Sequence, residues 1–506
     1  MRTEPTLSRL RALPEQRVRR RTGGPSERSF GKGTNAGALP AHPTACMPRR
    51  ELRREEGRKS EERGTDAWIF FVKYLILLPT AERFPGPLRE TRRRTTDDTN
   101  PNITMKIKPF LFLLLGCATN LLAVTGRASG QTGDAPSKPT TVLYDRVLGD
   151  RETYPEIVLG DVAAQYTPEG LRITGRENVV RLHKYYALGQ RTVRYHIRLA
   201  EDAVALFQGD KGEFKAYLDM PARTISMEGS PAVYKKIDFI DPAHEYIVDI
   251  SRDYQRAVFR LIDLYTGQTD QIEATICGQG GCGAGAVCSE TVVGRQYDYY
   301  CFGLAKGSEM TVRQICVLSP ACDLTLLLYG DSITEPDGYF PTKDYPLSWV
   351  QLIMRNVKGK AISSGRGGTT IDHLLERIKN ELPYLKAKYV MVTIGTNGGN
   401  TEANLSELVE YILAQGSVPI LNNIPANESG THIPVNAMIE KIRAKYGIKG
   451  CRFDLPTSVG YDGAEVDKNT MWYEDLGERA VYHHPNVEGS ARMYARTLID
   501  IPEIYE

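Results

Sequence analysis

From Asp323 to the C-terminus, apolar and polar positions follow a repeated strand-then-helix rhythm. LTLLLYG (Leu324–Gly330) is a continuous apolar run and reads as a buried strand. SWVQLIMRNV (Ser348–Val357) is amphipathic at helical spacing, KAISSG is a second strand, and Ile371–Leu385 is a helix. YVMVTIG (Tyr389–Gly395) is a third strand, and NLSELVEYILAQG is a helix ending on Gly416. VPILNNIP is a fourth strand, PVNAMIEKIRAKYG a helix stopped at Gly447, CRFDLPTS a fifth, shorter strand, and Gly489–Ile501 a closing helix. Continuous apolar strands between amphipathic helices predict a parallel sheet covered by helices on both faces. Ligands of such sheets bind at the carboxyl ends of the strands. Ser332, the SGRGGTT loop, Gly395-Thr396-Asn397 and the segment holding His484 all fall on that rim.

Upstream the period changes to two. VRYHIRLA (Val193–Ala200), FKAYLDM (Phe214–Met220), EYIVDISRD (Glu245–Asp253) and RAVFRLIDLYTG (Arg256–Gly267) alternate β-branched and aromatic residues with polar ones. Turn residues (GDKGE, SPA, DPA, TGQT) punctuate them. This predicts an all-β sandwich or jelly roll over residues 139–320, ahead of an α/β domain over 323–506. The β domain either binds glycan on a concave face or buttresses its neighbour. Tyr185, Tyr186, Tyr297, Tyr299 and Tyr300 offer rings for stacking on sugars, although packing is the commoner fate of such residues.

Composition is most informative at the front of the chain. Lys and Arg total 64 against 62 for Asp and Glu, so net charge implies no polyanionic partner. Residues 1–104 are rich in Arg, Pro, Gly, Ser and Thr, with runs such as RVRRR and TRRRTT, and read as disordered. Sparse aromatics and the lack of a folded platform weigh against a nucleic-acid arm. AWIFFVKYLILL (Ala67–Leu78) is too short, and too broken by Lys73, for a membrane span. MKIKPFLFLLLGCATNLLAV then has the basic start and apolar middle of a secretory signal peptide, over residues 105–130. Translation starting at Met105, with the preceding segment mis-assigned, is the simplest account. Export to a bacterial periplasm, outer-membrane surface or medium follows. LLGC resembles a lipobox that would place a lipid anchor on Cys117, while ASG before Gln131 suits ordinary cleavage.

Cysteines agree with export. Cys277, Cys282, Cys288, Cys301, Cys316 and Cys322 crowd ahead of the serine, where disulfides stapling a Gly-rich excursion are expected. Their spacing lacks the C-x-x-C pair and nearby His of a zinc site, and about fifteen pairings stay open. Cys451 reads as a buried apolar residue.

The rim carries the chemistry. GDSI with Ser332, GRGGTT with Gly368, GTN with Asn397 and HHPN with His484 resemble, in order and approximate spacing, the four blocks of the SGNH or GDSL-type hydrolases. The resemblance covers Leu324 to the C-terminus and implies a flavodoxin-like α/β fold and a serine esterase. Ester hydrolysis needs a nucleophile, a base and donors aimed at a developing oxyanion. Ser332 suits the nucleophile and His484 the base, with His483 ranked second. The N–H groups of Ser332 and Gly368 and the Asn397 carboxamide suit the oxyanion, with Gly367 competing for the loop's role. Such esterases need no metal or organic cofactor. The family's acid lies three residues before the histidine, where this chain has Val481. Asp475 and Glu478 are the candidate acids, and a Ser–His dyad oriented by a backbone carbonyl is the alternative. A β-sandwich followed by this domain, with that acid missing, is similar to two-domain carbohydrate acetyl esterases. The expected substrate is therefore an acylated glycan. A lipid esterase or lysophospholipase, and a non-catalytic glycan-binding surface protein, are the alternatives. The mixed aromatic and polar stretch Glu335–Trp349 leans toward a sugar platform.

Overall fold

The computed structural model describes residues 140–210, 214–229, 232–276, 292–293, 298–320, 322–335, 339–340, 342–471 and 482–506. The Arg-rich extension, the signal-like segment with Cys117, the residues Cys277, Cys282, Cys288 and Tyr297, and Asp475, Glu478 and Val481 lie outside them. Among the described residues no helix is long and apolar enough to cross a membrane.

The first part is β throughout. Its strands are β1 (Thr141–Val147), β2 (Ile157–Val158), β3 (Ala164–Thr167), β4 (Gly170–Thr174), β5 (Asn178–Tyr186), β6 (Gln190–Leu199), β7 (Val204–Gly209) and β8 (Lys215–Asp219). They continue as β9 (Thr224–Met227), β10 (Val233–Lys236), β11 (Tyr246–Asp253), β12 (Arg256–Asp263), β13 (Thr269–Ile276), β14 (Val292–Val293), β15 (Asp298–Lys306) and β16 (Glu309–Ser319). One sheet has the order β14-β13-β12-β11-β6-β16-β4-β3, with β1 also on β16, and the other the order β10-β9-β8-β7-β15-β5-β2. Alternation decides which side chains go inward: in β6, Val193, Tyr195, Ile197 and Leu199 are buried and alternate with half-exposed or exposed neighbours. Tyr195 meets Phe207 and Phe302 of the other sheet at ring-centroid distances of 4.8 and 5.4 Å, so the two inner faces form one core.

The second part alternates β17 (Leu326–Gly330), α1 (Trp349–Asn356), β18 (Ala361–Gly365), α2 (Ile371–Leu385), β19 (Tyr389–Thr393), α3 (Glu402–Ala414), β20 (Val418–Leu421), α4 (His432–Tyr446) and α5 (Val487–Asp500). The parallel sheet has the order β18-β17-β19-β20. Successive residues of β17 serve opposite faces. Leu326 and Leu328 pack with Trp349, Ile353 and Met493 of α1 and α5. Leu327 and Tyr329 join Leu374, Ile378, Leu405 and Ile439 of α2, α3 and α4. Helices therefore cover both faces, as expected, but the sheet is smaller than expected and β-structure dominates the molecule. The fifth strand, CRFDLPTS, is reduced to two parallel bridges, Ile420 with Lys449 and Asn423 with Arg452. The Cys451 and Arg452 N–H groups donate there to Asn422 Oδ1 and Asp500 Oδ2, each at 2.8 Å, instead of extending a ladder.

The two parts share a core, since Leu143, Tyr186 and Leu188 belong to the same cluster as Leu374 and Ile378. Polar contacts reinforce it. Gly189 N–H donates to the Ser363 carbonyl at 2.7 Å, and Asn380 Nδ2 to the Tyr185 carbonyl at 3.1 Å. Glu381 Oε1 accepts the Ala187 N–H at 2.8 Å. The sandwich thus buttresses the α/β layer. Tyr185, Tyr186 and Tyr300 are buried, and Tyr299 stacks on His183, so packing takes these rings.

The disulfide expectation needs correction at two positions. Cys316 and Cys322 are thiols: Cys316 Sγ lies 3.2 Å from Asp145 Oδ1, and Cys322 Sγ lies 3.6 Å from Lys360 Nζ. Cys316 is fixed by the β1–β16 pairing opposite Asp145, away from any partner sulfur among the described residues. Cys451 is buried against Phe453 and Met493.

Arg377 and Glu381 of α2 are both fully buried, one turn apart, and the arginine holds down a carboxyl that burial raises. Loss of Arg377 would take a donor from the buried Gly330 and Ser364 carbonyls and the nearby positive charge from Glu381. Arg377→Leu should therefore cost about 2–4 kcal/mol in urea unfolding, at about 1–3 kcal/mol for each buried polar group left unsatisfied; a loss under about 0.5 kcal/mol, the range of ordinary surface substitutions, would contradict this reading of α2.

Candidate active site

β17 delivers the serine. A Cβ on Gly330 would lie 2.1 Å from Thr334 Oγ1 and 2.4 Å from the Thr393 carbonyl, so the strand closes on its neighbours only with glycine there. Asp331 then caps a short 3-10 turn, Ser332–Thr334. Its Oδ1 accepts the Ile333 N–H at 3.1 Å and its Oδ2 the Thr396 N–H at 3.3 Å. One carboxylate thus pins the serine turn to the loop after β19. Burial pushes this carboxyl up to about 6, against the opposing pull of the Ile333 and Thr396 N–H groups. Trp349 Nε1 holds the turn from the far side through the Ile333 carbonyl, at 2.9 Å. Ser332 sits on this clamped turn with 4% of its surface exposed.

The glycine-rich loop follows β18. A Cβ on Gly365 would stand 2.1 Å from the Thr334 carbonyl, so the end of β18 touches the serine turn backbone to backbone. Arg366 N–H donates to the Gly330 carbonyl at 3.2 Å. Gly367 N–H donates to Glu335 Oε2, and Gly368 has the left-handed φ of 74°. The ambiguity between the two glycines is thereby narrowed, because the Gly367 N–H is engaged. Arg377 braces the whole junction. Its Nη2 donates to the Gly330 and Ser364 carbonyls at 2.5 and 3.0 Å, and its Nη1 to Thr369 Oγ1 at 3.4 Å.

Asn397 follows β19 on an exposed turn, and its Nδ2 donates to the Thr369 carbonyl at 3.0 Å. Ser332, the glycine loop and Asn397 are therefore tied together by direct hydrogen bonds between their segments.

His484 enters just before α5. Asn486 caps that helix by accepting the Gly489 N–H at 2.9 Å, and its Nδ2 reaches the Asn469 carbonyl at 2.8 Å, which fixes the histidine's loop. His484 is buried, with neither ring nitrogen hydrogen-bonded, so the Ser332–His484 bond is not formed in this structure. Its ring stacks on Tyr339 with centroids 4.4 Å apart and planes 23° apart, and lies 4.0 Å from the His483 ring. Burial, and secondarily His483, hold its pKa well below the ordinary value.

Four residues escaped sequence reasoning: Glu335, Tyr339 and Arg377, and the bridging role of Asp331. Glu335 stands between Asp331 and Asp337 in the sequence, so its charge did not set it apart. The expectation of a sugar platform over Glu335–Trp349 is not met by Tyr339, Phe340 and Trp349, which are buried and spent on packing.

No protein-family model matches the chain, and no curated protein matches it. Solved structures to which it is similar include a GDSL-like lipase from Bacteroides thetaiotaomicron, at 19% identity over 34% of this chain and 84% of that one, with a TM-score of 0.27. A variant of the acetyl xylan esterase Axe2 from Geobacillus stearothermophilus matches at 17% identity over 35% and 94%, with a TM-score of 0.29. The VIP36 exoplasmic/lumenal domain in a Ca2+/Man3GlcNAc-bound form matches at 10% identity over 35% and 90%, with a TM-score of 0.27.

The buried imidazole should be neutral in the resting protein. Nitrogen NMR of His484 is expected to show an uncharged ring at pH 6, where an unfolded histidine, with a pKa of about 6.5, is mostly protonated. An imidazolium signal at pH 6 would contradict the burial argument.

Proposed function

We propose that this chain is a serine hydrolase that removes short acyl groups from an esterified substrate. The observation that carries the reading is the hydrogen-bonded junction of Ser332's turn, the Gly368 loop and the Asn397 turn at the carboxyl ends of adjacent parallel strands. A nucleophile and several N–H donors held at one rim are what acyl transfer requires.

In this mechanism Ser332 Oγ attacks the acyl carbonyl carbon while a ring nitrogen of His484 takes its proton. The carbonyl π electrons move to oxygen. The resulting oxyanion is held by the N–H of Ser332, the N–H of Gly368 and the second Nδ2 hydrogen of Asn397. The tetrahedral intermediate collapses, the C–O bond to the alcohol breaks, and imidazolium returns the proton to the leaving oxygen. Water, deprotonated by His484, then releases the acid and regenerates Ser332. The absent Ser332–His484 bond is compatible with this, since catalytic hydrogen bonds often tighten only when substrate binds. Neutral His484 in the resting site is the form a base needs.

A small acyl group, acetyl above all, fits a serine that is only 4% exposed. A carbohydrate as the alcohol partner, and export of the protein, stand on the sequence resemblance and its leader-like segment. A second reading, a non-catalytic glycan-binding protein on the same fold, is favoured by one observation: His484 has no hydrogen-bonded partner on either nitrogen.

Hydrolysis of p-nitrophenyl acetate separates the two. Wild type should turn over, Ser332→Ala should fall to background, and Asn397→Ala should lose about 100- to 1000-fold in kcat, as loss of one oxyanion donor does. Equal background rates in wild type and Ser332→Ala would sink the hydrolase reading for this ester class. Faster turnover of octanoate than acetate would overturn the short-acyl assignment alone.

A further inference from the structure

A catalytic imidazole needs something to fix its plane and to stabilise the positive charge it gains. The usual device is a carboxylate on Nδ1. Here the residue three before His484 is Val481, and neither ring nitrogen of His484 has a hydrogen-bond partner among the described residues. What the ring does have is an aromatic face. Tyr339 is 8% exposed and stacks on His484 at 4.4 Å with a 23° interplanar angle.

The tyrosine is itself held in place. A Cβ built on Gly367 would fall 2.3 Å from Tyr339 Oη and 3.1 Å from Glu335 Oε2. The missing side chain of Gly367 is therefore what lets the phenol lie against the glycine loop. Glu335, 1% exposed, fixes the same residue by accepting its N–H. Tyr339 is wedged between the loop proposed to bind the oxyanion and the ring proposed to take the proton.

We propose that Tyr339 is the positioning residue for His484, supplying an aromatic face in a chain that has Val481 at the acid's usual position. The inference rests on the hydrolase reading. The stack fixes the imidazole plane, and the electron-rich ring face attracts the imidazolium formed when Ser332 gives up its proton. No bond is made to Tyr339 and no proton passes through it. Its effect falls on the charged state, so it acts on kcat more than on KM.

The test is a series at position 339 in the whole protein, assayed with p-nitrophenyl acetate. Tyr339→Leu should lower kcat by about 10-fold, within the range expected of a desolvated cation–aromatic contact, with KM little changed. Tyr339→Phe should stay within about threefold of wild type, because it keeps the face. If the leucine variant misfolds, progressively fluorinated phenylalanines at 339 preserve shape while draining the ring face, and kcat should fall stepwise along the series. Wild-type kcat in Tyr339→Leu, a loss in Tyr339→Phe as large as in the leucine variant, or a flat fluorination series would each overturn the proposal. Failure of the hydrolase reading is distinguished by equal rates in wild type and Ser332→Ala. In that event the His484 ring protons decide separately: they should carry the ring-current shift of a stacked phenol in wild type and lose it in Tyr339→Leu, and unshifted protons in wild type would overturn the stack.

Discussion

Arg377 is the interaction on which the site depends. A single fully buried guanidinium gathers the Gly330 carbonyl at the end of β17, the Ser364 carbonyl near the end of β18 and the Thr369 hydroxyl in the glycine loop. These are the points where the serine turn and the loop leave their strands. Arginine suits the task because its planar fork presents several donors in fixed directions. Four residues along α2, Glu381 anchors the Ala187 N–H of the sandwich. The helix therefore connects the β-rich part to the rim, and the buttressing role of the sandwich is expressed through it.

Asp331 does a smaller version of the same work at a measurable cost. Its carboxyl is pushed from an ordinary 3.8 to about 6 by burial, so ionisation at neutral pH costs on the order of 3 kcal/mol. The sign follows directly. A folded-state value above the unfolded one means the penalty is absent below about pH 4 and complete above about pH 6. In return, two backbone N–H groups from separate segments are held by one side chain, which sets the spacing between Ser332 and the Asn397 turn. Geometry of this kind is what oxyanion binding requires before substrate arrives, because donors that must move first stabilise less.

Much of this was legible in the sequence, and the exceptions have physical causes. The helices and the four parallel strands followed from periodicity, and helix Ile371–Leu385 matched end to end. The fifth strand shrank because side chains take its backbone donors: the Cys451 N–H goes to Asn422 Oδ1 and the Arg452 N–H to Asp500 Oδ2. Arg377 and Glu381 were not singled out in the sequence of α2. Helical periodicity marks which face is polar but cannot see a second domain covering it, and the sandwich does cover it. Cys316 suggested an oxidised framework by crowding along the chain, whereas strand register set it against Asp145. Ser332, the glycine loop, Asn397 and His484 were singled out by motif, and the segments of the first three are joined by hydrogen bonds. The aromatic neighbour of His484, Tyr339, carried no periodic or charge signal that would have singled it out.

Everything at this rim turns on Ser332 acting as a nucleophile activated by His484. Treating the protein with a fluorophosphonate and mapping the adduct by peptide mass spectrometry tests it without choosing a substrate. Stoichiometric modification of Ser332, abolished in His484→Ala, is expected. An unmodified Ser332, or modification confined to another residue, would contradict it.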